Sequence, residues 1–159
     1  MIEKAKEKKL EVVESLDALI TNEVTTIITM LPEGKNSKEV YLGERGIINK
    51  VSKKCLLIDC STIDIKTSIE IGTIAKKFGI KMIDAPVSGG VMGAQKGTLN
   101  FLVGGSKEAF ELALPLLKIM GKNIFPSIIF CLSIICIYLS GERSNFIKAL
   151  IVVDRKSVV

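Results

Sequence analysis

Residues 84–90, Asp-Ala-Pro-Val-Ser-Gly-Gly, are followed by Gly93, Gly97, Gly104 and Gly105, a composition suited to holding an anion. Six of the 13 glycines fall between positions 89 and 105. A core would fill such positions with side chains, and a helix loses about 1 kcal/mol for each glycine. Bare backbone N–H groups can instead close on an anionic ligand. The same glycines would also serve a long surface loop whose turns need positive φ.

Proton transfer is the next constraint. The chain has no histidine, which excludes Ser-His and Cys-His nucleophilic chemistry and leaves Lys, Asp, Glu or Tyr as acids and bases. Cys55, Cys60, Cys131 and Cys136 form no Cys-x-x-Cys pair and have no imidazole to complete a metal site, so no metal is expected. They read as free, mostly buried thiols of a reducing compartment. Cys60 stands beside Ser61, yet nothing in the chain's composition would activate it.

The elements that must position these residues alternate between strand and helix signals. Residues 1–9 are charged and helix-prone, 11–13 suggest a short strand, and Ser15 can cap a short helix through Glu23. Residues 24–30 form a β-branched run ended by Leu31-Pro32, and 56–59 form a second apolar run. Neither alternates, as expected for strands covered on both faces. Between them, 37–43 suggests one or two helical turns. Ile71, Ile74, Ala75 and Phe78 recur at helical spacing, with Gly79 placed to end that helix. Strands are expected again at 80–85 and 99–103, separated by the glycine-dense loop. Phe110, Ala113, Leu114 and Leu117 mark a last amphipathic helix, kinked or tightened near Pro115. This order predicts an α/β chain: an incomplete Rossmann-type, doubly wound parallel sheet, with 24–30 and 56–59 as parallel neighbours. Ligands then bind beyond the carboxyl ends of the strands, where the loops after Met30, Asp59 and Ala85 lie.

A chain of 159 residues, 48% hydrophobic and 25% charged, is sized for one domain with a real core. Its net charge of +5 is spread along the chain, with only two Tyr, six Phe and no Trp, and no zinc-finger spacing. Nucleic acid is not an expected partner.

Several segments together resemble the β-hydroxyacid dehydrogenase family, of the 3-hydroxyisobutyrate dehydrogenase type. They are IITMLP at 27–32, GII at 46–48, LLIDCSTID at 56–64, DAPVSGGVMGAQKGTLNFLVGG at 84–105 and MGKNI at 120–124. The resemblance implies that Leu31, Pro32 and Asn36 run along an NAD or NADP cofactor and that Thr62 contacts it. Taken alone, Leu31-Pro32 reads as a strand terminator and Thr62 as a helix cap. The resemblance further implies that Ser88, Gly89 and Gly90 hold the carboxylate of a small 3-hydroxy acid. The implied reaction oxidises 3-hydroxyisobutyrate to methylmalonate semialdehyde, a step of valine catabolism. Another β-hydroxyacid dehydrogenase, such as a tartronate or succinic semialdehyde reductase, remains open. So does a non-catalytic membrane-tethered or subunit-binding relic.

Two departures bear on activity. No Gly-x-Gly-x-x-Gly turn occurs, so the pyrophosphate cradle of the first βαβ unit is missing. An open sheet edge is expected where that unit would have paired. Nor does the family's lysine-bearing helix follow residue 125, so no catalytic residue is assigned. Lys96 and Lys122 are the nearest lysines, and neither matches the family position. Residues 1–123 are read as a partial NAD(P)-binding domain and 124–159 as an apolar tail unlike the family. Residues 124–140 carry no charge, at the short limit of about 17 residues for a membrane span. The tail reads either as such a segment or as translated non-coding sequence. The chain alone is expected to be inactive, and a homo-oligomer is expected only of a complete protein. The resemblance implies a mitochondrial site, but residues 1–20 contain four glutamates and no arginine, unlike a transit peptide, which leaves the cytoplasm.

Overall fold

The computed structural model describes residues 2–13, 15–21, 23–126 and 149–152. Helices α1 (Ile2–Glu7) and α2 (Leu16–Leu19) lead to strand β1 (Thr26–Met30), helix α3 (Gly34–Leu42), a 3-10 turn at Ile47–Asn49 and strand β2 (Leu56–Asp59). Then come α4 (Ile65–Lys77), β3 (Lys81–Asp84), β4 (Val87–Ser88), α5 (Gly90–Lys96), β5 (Leu99–Gly105), α6 (Lys107–Met120), β6 (Gly121–Pro126) and β7 (Ala149–Val152).

Capping chemistry sets several of these boundaries. Ser15 Oγ accepts from the Ala18 N–H at 3.1 Å, Asp64 Oδ1 from the Thr67 N–H at 2.9 Å and Ser106 Oγ from the Ala109 N–H at 3.2 Å. Gly79, at φ +72, follows the end of α4 as its spacing predicts. Helix α6 runs unbroken through Pro115. Pro115 and Glu111 are both exposed, so the Glu111 carbonyl that loses its intrahelical donor lies on the solvent side.

Strands β1, β2 and β3 are parallel, with Thr26 opposite Leu56 and Leu56 opposite Lys81. Their residues alternate between two cores. Ile28, Leu56, Ile58 and Ile83 join Phe101, Val103, Ala109, Ala113 and Leu117 on the face covered by α6. Ile27 and Leu57 join Tyr41, Ile47, Ile71 and Ala75 on the face covered by α3 and α4. Burial on both faces explains why these strands read as continuous apolar runs.

The expected Rossmann-type parallel core of β1, β2 and β3 is present, in a sheet whose order among the described residues is β4-β5-β3-β2-β1-β7, with β6 also on β5. Several details depart from expectation. Strand β5 is antiparallel to β3 because the chain between them is spent on β4 and a short helix instead of a full crossover. The glycine-dense segment is accordingly not one loop. Gly93 is buried in α5, where a Cβ would stand 3.2 Å from Leu99 Cδ2, so close packing on β5 offsets poor helix propensity. Residues 11–13 form no strand, since no neighbour pairs with them, and α3 begins at Gly34 rather than 37. The edge of β1 is not open: β7 pairs there antiparallel, from Ile27 opposite Val152 to Met30 opposite Ala149. Its backbone groups occupy donors and acceptors that would otherwise face water.

Ile124 to Pro126 belong to β6 and the rest of the candidate membrane stretch lies outside the described residues, as do Cys131 and Cys136. Among the described residues no helix is long and apolar enough to cross a membrane.

Candidate functional site

At the carboxyl ends of the three parallel strands, the apolar α3/α4 face gives way to a polar row. Thr29, Asp59 and Asp84 stand in register on β1, β2 and β3. Thr29 Oγ1 donates to Asp59 Oδ1 at 2.9 Å, so its remaining capacity accepts from the Tyr41 hydroxyl of α3 at 2.6 Å. Asp59 Oδ1 also takes the Ser61 N–H at 3.0 Å, and Ser61 Oγ takes the Leu31 N–H at 2.8 Å. Backbone bonds close the same row: the Cys60 N–H donates to the Thr29 carbonyl at 2.8 Å and the Ala85 N–H to the Asp59 carbonyl at 2.7 Å. Thr29, Tyr41, Asp59 and Ser61 are all buried.

Burial dominates the electrostatics. It pushes the Asp59 carboxyl up, opposed by hydrogen bonds from Ser61 and Thr29 and by the nearby Ser37 hydroxyl. Ser37 Oγ and Asp59 Oδ2 are buried without a partner in hydrogen-bond geometry. Burial together with the neighbouring Asp59 raises Asp84 to about 7, against a lowering by the Ser68 hydroxyl of α4. The Tyr41 phenol is held well above its usual range by burial and by Asp59, so it remains a donor. Burial raises the Cys60 thiol to about 12 and Cys55 to about 11, which leaves both unreactive.

The residues expected to line a cofactor lie around this row. Leu31 and Pro32 leave β1, Asn36 is half-buried in the first turn of α3, and Thr62 is exposed one residue beyond Ser61. The Leu31 to Ser61 bond joins the two segments. Their approach is close enough that a Cβ on Gly34 would meet Asp64 Oδ2 at 2.5 Å. Ser88 and Gly89 are exposed and Gly90 half-buried, at the junction of β4 and α5. Gly89 at φ +127 and Gly90 at φ +60 need glycine, and a Cβ on Gly90 would meet nothing within 4 Å. That bare backbone beside open space fits the approach of a carboxylate. Among the described residues no hydrogen bond joins Ser88, Gly89 or Gly90 directly to Leu31 or Thr62; the strand ends connect them. Lys96 is exposed in the last turn of α5, and Lys122 is exposed on β6 rather than at a helix end. No cluster of metal-ligating side chains occurs among the described residues.

Sequence reasoning did not single out Thr29, Ser37, Tyr41, Asp59, Ser68 or Asp84. Its available signal was an aspartate closing each of two apolar runs, at 59 and 84.

Comparisons with known proteins agree with this fold. Residues 1–131 match the NAD binding domain of 6-phosphogluconate dehydrogenase. The chain is 48% identical over 119 residues to a probable mitochondrial 3-hydroxyisobutyrate dehydrogenase of Dictyostelium discoideum, covering 75% of this chain and 37% of that protein. It is 50% identical over 99 residues to 3-hydroxyisobutyrate dehydrogenase of Pseudomonas aeruginosa, covering 62% and 33%. Among solved structures, Mycobacterium tuberculosis 3-hydroxyisobutyrate dehydrogenase with L-serine superposes with a TM-score of 0.71 at 33% identity, over 77% of this chain and 41% of that one. The chain thus spans about a third of the length of the curated relatives it matches.

Proposed function

The chain belongs to the family of the NAD binding domain of 6-phosphogluconate dehydrogenase, on the side of the 3-hydroxyisobutyrate dehydrogenases, and we propose that it forms the central part of a 3-hydroxy acid oxidoreductase site. Leu31, Pro32, Asn36 and Thr62 line a bound NAD or NADP, and Ser88 with the Gly89 and Gly90 backbone holds the carboxylate of the acid. Residues 1–123 carry this part. One observation supports the reading above the others: the segments leave the carboxyl ends of adjacent parallel strands and are tied there by the Leu31–Ser61 and Thr29–Asp59 bonds.

The substrate is 3-hydroxyisobutyrate, oxidised to methylmalonate semialdehyde. A bound oxidised nicotinamide supplies the hydride acceptor. This chain's residues bind and orient: the Ser88 hydroxyl and two unencumbered amides fix the carboxylate by charge-assisted bonds and so present the carbinol end. No described residue is assigned to remove the hydroxyl proton, since Lys96 and Lys122 are exposed and lie off these loops. The chain alone is therefore inactive and binds the dinucleotide weakly, with no Gly-x-Gly-x-x-Gly turn to receive the pyrophosphate.

Isotope-edited NMR of the purified chain tests both halves. Added NAD or NADP should perturb the amides of Leu31, Asn36 and Thr62 at millimolar concentration, and 3-hydroxyisobutyrate those of Ser88, Gly89 and Gly90. Ser88→Ala should abolish the acid's effect and spare the cofactor's. Perturbation confined to other surfaces would overturn the site. Micromolar cofactor affinity with substrate-dependent cofactor reduction would overturn the inactivity.

A further inference from the structure

We propose that Asn100 of β5, pinned by Asn123 of β6, donates its side-chain N–H2 to the carboxylate of the acid, beside the Ser88 hydroxyl. The inference rests on the proposed function, in which Ser88, Gly89 and Gly90 hold that carboxylate, and it extends the site across two further strands.

Three neighbouring strands bring the residues together. Ser88 of β4 is in register with Asn100 of β5, and Asn100 with Asn123 of β6. Beside them Val87, Phe101 and Ile124 are also in register; Val87 and Phe101 are buried in the core under α6, and Ile124 packs against it. Side chains alternate along a strand, so Ser88, Asn100 and Asn123 share the opposite face. On that face Ser88 and Asn123 are exposed and Asn100 is half-buried. In-register side chains on adjacent strands stand about 5 Å apart at Cβ, so Ser88 and Asn100 can each reach one oxygen of the same carboxylate.

An irregularity in β6 creates this row. Leu99 is opposite Gly121 but Asn100 is opposite Asn123, so the ladder skips Lys122. In unbroken register Asn100 would face Lys122 instead. Bulges are uncommon between parallel strands, and where they occur they re-aim side chains. Packing fixes this one in place: a Cβ on Gly121 would stand 2.4 Å from the Leu99 carbonyl oxygen and 2.6 Å from Phe101 Cε2.

The chemistry follows from what the bulge brings across. Asn123 Nδ2 donates to Asn100 Oδ1 at 2.8 Å, which engages the Asn100 carbonyl on the β6 side and leaves its N–H2 to donate. Neither that N–H2 nor the Ser88 hydroxyl has a hydrogen-bond partner among the described residues. Two oriented donors on adjacent strands suit an acceptor with two charged oxygens, to which hydrogen bonds are about twice as strong as to a neutral one. Asn123 itself touches no substrate and is a positioning residue.

The test is isotope-edited NMR of the full chain, reading side-chain as well as backbone amides, with 3-hydroxyisobutyrate and separately with its methyl ester. The acid should shift the Asn100 N–H2 signals with the same dissociation constant as the Ser88 amide, and the ester, which lacks the anion, should shift neither. Asn100→Ala should raise that constant about tenfold. Asn100→Asp keeps the acceptor for Asn123 but opposes the acid with a second carboxylate, so it should raise the constant further. In an Asn123→Ala background Asn100→Ala should cost less than it does alone, a coupling that a merely structural role of Asn123 would not produce. Asn100 signals indifferent to the acid while Ser88, Gly89 and Gly90 respond, or signals that move equally with the ester, would overturn this proposal and leave the proposed function standing. An acid that shifts none of these residues would overturn the proposed function and this inference with it. The wild-type titration decides between these outcomes even if a variant does not fold.

Discussion

A threonine in the middle of a β-branched run is ordinarily a strand former and little more, yet Thr29 is the hinge of the buried hydrogen-bond chain. Tyr41 donates to it and it donates to Asp59, a direction that follows from one hydroxyl having one proton. Tyr41→Phe keeps the packing and deletes the first link, so it should cost about 1 kcal/mol in urea denaturation. Thr29→Val should cost more, about 1–3 kcal/mol for each buried partner left unsatisfied. Ordering of the two variants in the reverse sense would show that the chain does not run through Thr29. Position 29 was legible as strand and illegible as polar hub, because its partners come from 12 and 30 residues away. Ser88, by contrast, was singled out through the family resemblance, while composition alone pointed to the glycine-dense segment around it, whose backbone chemistry needs no knowledge of the fold.

At the scale of elements, glycine has opposite meanings at different positions. Gly72 lies inside α4 and an added Cβ would meet nothing within 4 Å. Gly72→Ala should therefore stabilise by about 1 kcal/mol and raise the thermal midpoint by about 2–4 °C. Gly121 caps α6 as β6 begins, where a Cβ would stand 2.4 Å from the Leu99 carbonyl oxygen and 2.6 Å from Phe101 Cε2. Gly121→Ala forces β5 and β6 apart and should destabilise by about 1–3 kcal/mol, lowering the midpoint in the same scan. Equal effects at both positions would refute the packing argument. The same distinction explains which elements could be read. Helix α4 showed its spacing and its terminal glycine; α5 did not, because only the Gly93–Leu99 contact makes a glycine-rich helix worthwhile.

For the whole molecule, the raised Asp84 acid gives stability a definite pH sense. Its carboxyl sits at about 7 when folded against an ordinary 3.8, so between those values the folded chain binds more protons than the unfolded one. Stability from this group is complete below the unfolded value and lost as pH climbs towards 7. Asp64, lowered chiefly by the Thr67 N–H it caps, has the opposite sense but is exposed and contributes little. The unfolding free energy from urea titrations should thus fall from pH 5 to pH 8, by on the order of 2 kcal/mol, with the midpoint falling alongside, and Asp84→Asn should flatten the profile. A midpoint that rises over that range would contradict the assignment. Sequence by itself determined the family and the succession of β1, α3, β2, α4, β3, β5 and α6, and it pointed to the loops proposed to carry ligand chemistry, because motif, periodicity and capping are local. Tertiary structure alone decided the antiparallel turn at β5, the pairing of β7 on β1 and the polar row of Thr29, Asp59 and Asp84, because register and burial join residues that no local pattern connects.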